Sequence, residues 1–219
     1  MNTIDVNERY KKICGYYGAA IILAGILTGI YNIINSTSYY VMLAFSFCAF
    51  AFIPFVFNKV FRLRPTYIIH FAIYAFSTLA FGIGMILNGY HLVPGYDKFV
   101  HFLSGIVFTL IGCCIFYIFK PRKKLEREDA PLTSLFSLCF SLAVACFWEI
   151  FEYVINFILH NDPQNVFTTG VNDTMQDIIA CLLGSFAVAF SLWHYLARGR
   201  ENFFSRILQN FCDINLTAK

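Results

Sequence analysis

Hydrophobic residues in this chain gather into six long blocks, parted by short polar connections. A helix needs roughly 20 apolar residues to cross a bilayer. The blocks Cys14–Ile34, Tyr39–Phe57, Tyr67–Leu87, Phe99–Phe119, Thr133–Leu159 and Thr174–Ala197 meet that length. The pattern predicts an all-α, polytopic membrane protein with six transmembrane helices, forming a single integral domain over residues 1–219. Residues 198–219 mix Phe203, Phe204, Ile207, Leu208 and Phe211 with Arg198, Arg200 and Arg206. That mixture predicts an amphipathic tail attracted to anionic lipid.

Composition excludes a soluble domain. Charged residues make up 13% of the chain and hydrophobic ones 58%, against about 25% charged in soluble domains. The first block is longer than a signal-peptide core and ends in no small-residue cleavage pattern, so it reads as an uncleaved first helix. The eight cysteines are scattered, mostly within apolar blocks, with no CxxC pair; they read as small hydrophobes rather than zinc ligands or a disulfide framework.

Charge sets orientation. Fifteen of the 16 Lys and Arg residues fall in the N-terminal tail, the second and fourth connections and the C-terminal tail; only Lys98 lies on the other side. Basic residues stay with the cytoplasm. Both termini are therefore expected to be cytoplasmic, in a multi-pass protein of the inner, cytoplasmic membrane.

Against this frame, a few charges stand inside the blocks. Glu149 and Glu152 are the only charged residues between Thr133 and Leu159, and their spacing sets them on one helical face. Acids at such positions are costly in a bilayer and mark functional sites or buried polar networks. Asp97 and His101 are four apart at the outer start of the fourth block, and Asp173 and Asp177 at the outer start of the sixth. The fifth block would span roughly 40 Å as a helix, longer than the hydrocarbon core, so its glutamates come near the depth of His101 and Asp177. Three segments are thus expected to bring five carboxylates and one imidazole to one outer-leaflet level.

Each group has a simpler role available. Asp97 and Asp173 occupy helix-capping positions, His101 could be a hydrogen-bonded core histidine, and Lys98 could neutralise one acid. Glu149, Glu152 and Asp177 lie beyond capping positions. A divalent metal (Mg, Mn, Fe or Zn) held by Asp97, His101, Glu149, Glu152, Asp173 and Asp177 stands beside a metal-free polar network as the expectation. Glu149 and Glu152 are the candidate catalytic groups, handling a proton while a metal polarises a phosphoryl or acyl oxygen. No HExxH, GxSxG or P-loop motif is present, and nothing marks Ser104 as a nucleophile. Of the other histidines, His70, His91 and His194 receive no role, and His160 lies nearest the expected site in sequence.

Asp97-Lys98-Phe99-Val100-His101-Phe102, followed by Ser104-Gly105, resembles the DKxxHF signature of VanZ-like membrane proteins. Trp148-Glu149-Ile150-Phe151-Glu152 and Asp173-Thr174-Met175-Gln176-Asp177, with Gly184, resemble the related YjdF family of bacterial inner-membrane proteins. The resemblance covers roughly residues 65 to 192. It implies an envelope-associated role, VanZ-like proteins being linked to low-level resistance to glycopeptides of the teicoplanin type. The YjdF family often has a further acid where this chain has Cys181, so the resemblance argues against a two-metal site here. The leading functional expectation is an outer-facing acidic site that binds or modifies a lipid or cell-envelope headgroup. The alternatives are a proton- or cation-coupled transporter, and a scaffold whose acids are structural. Expected partners are membrane lipids and not nucleic acid.

Overall fold

The computed structural model describes residues 3–35, 38–121, 124, 126–159 and 164–216. Arg122, Lys123 and Lys219, counted above in setting orientation, and His160 lie outside the described residues. Among the described residues there is no strand. The helices are α1 (Thr3–Asn35), α2 (Ser38–Phe50), α3 (Ile53–Val60), α4 (Tyr67–Ser77), α5 (Gly89–Leu92), α6 (Tyr96–Phe119), α7 (Ala130–Leu159), α8 (Val166–Thr169), α9 (Asn172–Arg198) and α10 (Phe203–Asn215). Five helical stretches are long and apolar enough to cross a membrane, and a bent pair, Ser38–Phe50 with Ile53–Val60, makes a sixth if it counts as one span. The chain divides into two compact units, Met1–Tyr96 with Asn210–Lys219, and Asp97–Gln209.

In the first unit the expected second helix is broken. Its two halves, α2 and α3, meet at 49°. Pro54 near the start of α3 has no N–H to donate and suits the opening turn of a new helix. The break strands a carbonyl, and the Tyr74 hydroxyl donates to Ala51 O at 2.9 Å to satisfy it. Beyond Ser77 the α4 helix widens into a π-helical segment, Thr78–Ile86. Gly25 of α1 lies against Ala44 O and Cys48 of α2, leaving no room for a Cβ. His70 is buried, with Asn58 Nδ2 donating to its Nε2 at 2.8 Å, so it serves as a core histidine.

In the second unit α6 and α9 run parallel and in register. Gly105 of α6 fits against Cys181 O and Ser185 N of α9, while Gly184 of α9 fits against Phe102 O of α6. A Cβ at either glycine would strike backbone, so the two helices touch main chain to main chain. Ser141 of α7 joins this contact, donating to Gly105 O at 3.3 Å and accepting from Ser185 Oγ at 2.9 Å. Thr109, Thr133, Ser137, Ser141 and Ser185 are all fully buried. The seam between α6, α7 and α9 is therefore lined with hydroxyls on all three helices.

At the opposite end of α6, Lys120 donates to Glu126 Oε2 at 2.6 Å and Asp129 Oδ2 at 2.5 Å. Burial alone would lower the Lys120 pKa, but the hydrogen bonds and charges of Asp129 and Glu126 outweigh it and hold the ammonium above the usual lysine value. The tail forms a helix, α10, in which Ile207, Leu208, Phe211 and Cys212 are buried while Phe203 is 68% exposed.

Candidate acidic site

The register of α6 and α9 brings matching turns together. Asp97 pairs in height with Asp173, and His101 with Asp177, each one or two turns from the glycine contact. Lys98 sits among these acids. Its Nζ lies 3.1 Å from Asp97 Oδ2, 2.6 Å from Asp173 Oδ1 and 2.8 Å from Asp177 Oδ1. Sequence reasoning allowed Lys98 to neutralise one acid; it is shared by three. Lys98 is adjacent to Asp97 in the chain, so only the parallel register, which places both α9 aspartates within its reach, discloses this.

His101 stands beside the lysine. Its Nε2 is 3.6 Å from Asp97 Oδ1 and 3.8 Å from Asp177 Oδ1, close enough for charge interaction but too long for hydrogen bonds. Donor atoms of Asp97, His101 and Asp177 all lie within 4.8 Å of one another. Asp177 is nearly fully enclosed, with 4% of its side chain exposed, while Asp97 keeps 32%. The cluster thus has a closed base and a partly open rim. One ammonium against three carboxylates leaves two negative charges at the cluster. Such a surplus away from bulk water calls for a proton or a further cation.

The glutamates of α7 arrive at the same height. Glu149 is eight residues beyond Ser141, about 12 Å along the helix, and Asp97 is eight residues above Gly105. Glu149 is buried. Its Oε2 and its backbone carbonyl both accept from Gln164 Nε2 at 3.0 Å. Its other oxygen, Oε1, is buried with no hydrogen bond of ordinary geometry, although the Thr174 side chain lies beside the carboxylate. Glu152 Oε1 accepts from Trp148 Nε1 at 3.0 Å, and its charge is within reach of Glu149, Asp97 and Asp177. The five acids and one histidine singled out from the sequence therefore lie in one region of one unit. The tight three-donor group is the smaller set Asp97, His101 and Asp177.

Two further residues complete the surroundings and escaped sequence reasoning. Gln164 holds Glu149, and Asn165 Nδ2 donates to Asp173 Oδ2 at 2.7 Å. In sequence they look like ordinary turn residues; the available signal is a pair of amides set directly against the apolar Val166-Phe167. Ser104 Oγ donates to His101 O at 2.7 Å, a local helix bond and not the posture of a nucleophile. The other described histidine of this unit, His194, packs its ring against Phe190 and Trp193, far along α9 from the acids.

Comparison with known proteins agrees with this picture at a coarse level. An uncharacterised protein of Thermotoga maritima is 26% identical over 188 residues, covering 84% of this chain and 90% of that protein. No solved structure matches the chain. The family model described as "Predicted membrane protein (DUF2238)" matches residues 17–198, a stretch that begins within α1, runs to the end of α9 and holds every residue of the acidic site. The chain belongs to the DUF2238 family of predicted membrane proteins.

Proposed function

We propose that this is a multi-pass protein of the bacterial inner membrane, YjdF/VanZ-like in type, whose acidic cluster is an outward-facing divalent-cation site. Through that cation it binds an anionic lipid or cell-envelope headgroup. The observation that carries the reading is Lys98 Nζ, held within 2.6–3.1 Å of three carboxylates. A place for a cation is already built, and its negative charge exceeds what one ammonium neutralises.

The donor set suits a metal. Oxygen and nitrogen ligands about 2.1 Å from an ion stand roughly 3.0–3.4 Å apart. The observed pairs at 3.6 and 3.8 Å need to contract by well under 1 Å. Lys98 would leave on its flexible four-carbon stem. Asp173, Glu149 and Glu152 would then stand around the ion, the two glutamates at a height where they could exchange a proton with a bound headgroup. The near-absence of basic residues from the connections on this side supports an outward face.

Transport is the weaker reading. Hydroxyls do continue below the acids, but Ser141 and Ser185 are hydrogen-bonded to one another and to Gly105 O. The Gly105 and Gly184 contacts leave no space for a Cβ, let alone a hydrated ion. A scaffold reading keeps one specific support, since Lys98 itself ties α6 to α9.

Metal analysis of the purified protein separates these. The expected result is a stoichiometric ion retained by the wild type, lost in the double variant His101→Ala/Asp177→Asn, with chelator lowering the melting temperature of the wild type alone. Absence of stoichiometric metal, together with a melting temperature indifferent to chelator, would overturn the cation site and leave only a metal-free polar network.

A further inference from the structure

The connection between α7 and α9 has two unlike sides. Inward, it is fastened to the acids: Gln164 to Glu149 and Asn165 to Asp173, as above. Outward, it is apolar. Phe167 is 84% exposed and Val171 66% exposed. A phenylalanine this bare on a short, tied-down connection is out of place in water.

Two further observations say what covers it. The first is continuity. Val171, Met175, Ile179, Phe186 and Phe190 form one exposed stripe, falling within about 100° of arc at 100° per residue. Asp173, Asp177, Cys181 and Gly184 lie on the other side. The stripe is the lipid-facing side of a membrane-spanning helix, and Val171 and Phe167 prolong it past the helix start to the height of the acids. The second is backbone satisfaction. Asn165, at φ 51°, directs its carbonyl to the N–H groups of Thr168 and Thr169 at 3.0 and 2.9 Å and to their hydroxyls at 3.1 and 3.0 Å. Gly170 N donates to Val166 O at 3.0 Å. The segment meets much of its own hydrogen-bonding demand, which is the condition for entering a lipid interface.

We propose that residues 164–175 are seated in the outer lipid leaflet. The molecule whose headgroup reaches the acids is then a membrane lipid that enters sideways, past Phe167, rather than a water-soluble envelope compound. The identity of the ligand rests on the cation-site reading above; the seating of the segment does not. The inward amides couple the two, because the residues flanking the apolar rim are the ones that hold Glu149 and Asp173.

Two measurements test this. In the first, Phe167→Trp protein is placed in nanodiscs, with wild type, which retains Trp148 and Trp193, as background. The added indole should be quenched by lipids brominated at the headgroup end of their chains and shielded from iodide. Iodide quenching without quenching by brominated lipid overturns the proposal. In the second, melting is followed in detergent with Mn²⁺ and either phosphatidylglycerol or glycerol phosphate. The lipid should raise the melting temperature, and glycerol phosphate should not. Phe167→Asp should lose the lipid shift and keep the shift given by Mn²⁺ alone. An equal response to glycerol phosphate, or an undiminished lipid shift in Phe167→Asp, overturns the lipid assignment. If Phe167→Asp fails to fold, the fluorescence result and the wild-type comparison of the two ligands decide. A missing Mn²⁺ shift with the indole still quenched by lipid refutes the cation site alone and leaves the seating supported.

Discussion

Replacing Lys98 with methionine is the sharpest test of the charge arrangement. The substitution keeps most of the apolar stem and removes the ammonium that Asp97, Asp173 and Asp177 share. Removing one partner of a buried ion pair costs about 3–5 kcal/mol, because the other charge is left without compensation. Here three carboxylates lose their partner at once, and the two on α9 are 13% and 4% exposed. For a chain of this size each kcal/mol lowers the melting temperature by about 2–4 °C. Lys98→Met should therefore melt about 6–20 °C below wild type in chelator. A divalent cation should reverse part of the loss. At about 100 times its dissociation constant, an ion bound only by the folded state contributes about 2.7 kcal/mol, or about 5–11 °C. With no ammonium to displace, the variant should also bind Mn²⁺ more tightly than wild type. The assay is a melting series against Mn²⁺ concentration, run on both proteins. A variant as stable as wild type in chelator would show that the three contacts carry no net energy. A destabilised variant that Mn²⁺ does not rescue would refute the idea that the position is a general cation site.

Other outcomes follow from the same geometry. Gly184→Ala puts a Cβ onto the carbonyl oxygen of Phe102; the overpacking cost of up to about 3 kcal/mol exceeds alanine's helical advantage of about 1 kcal/mol. Its melting temperature should fall by about 4–8 °C, and an unchanged melt would refute the backbone contact. At the other end of α6, the Lys120 ammonium is held above the usual lysine value by Asp129 and Glu126. A group with a raised folded-state pKa stabilises fully below its unfolded value, about 10.4, and loses that contribution as pH rises through the folded one. The stability difference between wild type and Lys120→Met should be constant from neutral pH to about pH 10 and shrink above it, as read by alkaline melting curves; a difference that grows with pH would contradict the assignment.

The spans and the meeting of Asp97, His101, Asp173 and Asp177 were legible because apolar block length and four-residue spacing are strong, local signals. Other features depend on relations that spacing does not carry. The place of Lys98 follows from the register between two helices 75 residues apart in sequence, which the glycines set by close approach. Seen along α7 alone, Thr133, Ser137 and Ser141 repeat every four residues on the way to Ala145 and Glu149. The repeat marks a polar edge along α7, but that it faces Gly105 of α6 and Ser185 of α9 is set by packing alone. The break between α2 and α3 also had its mark in Pro54, masked by an apolar run long enough to pass for one straight helix. The π-helical stretch had no such mark, since neither Gly82 nor Gly84 separates a widened helix from an ordinary one.

On the proposed cation-site reading, the contact of Gly105 and Gly184 has a consequence for selectivity between ions. Below the acids, the spacing of α6 and α9 is set by main chain against main chain, with no side chain able to yield. The donors one and two turns above are therefore mounted on a rigid caliper. Ions near 2.1 Å from their ligands, such as Mg²⁺ or Zn²⁺, and larger ones near 2.4 Å, such as Ca²⁺, would meet the same jaws. Widening those jaws at the glycines, rather than changing any ligand, is then the direct way to shift which ion is preferred.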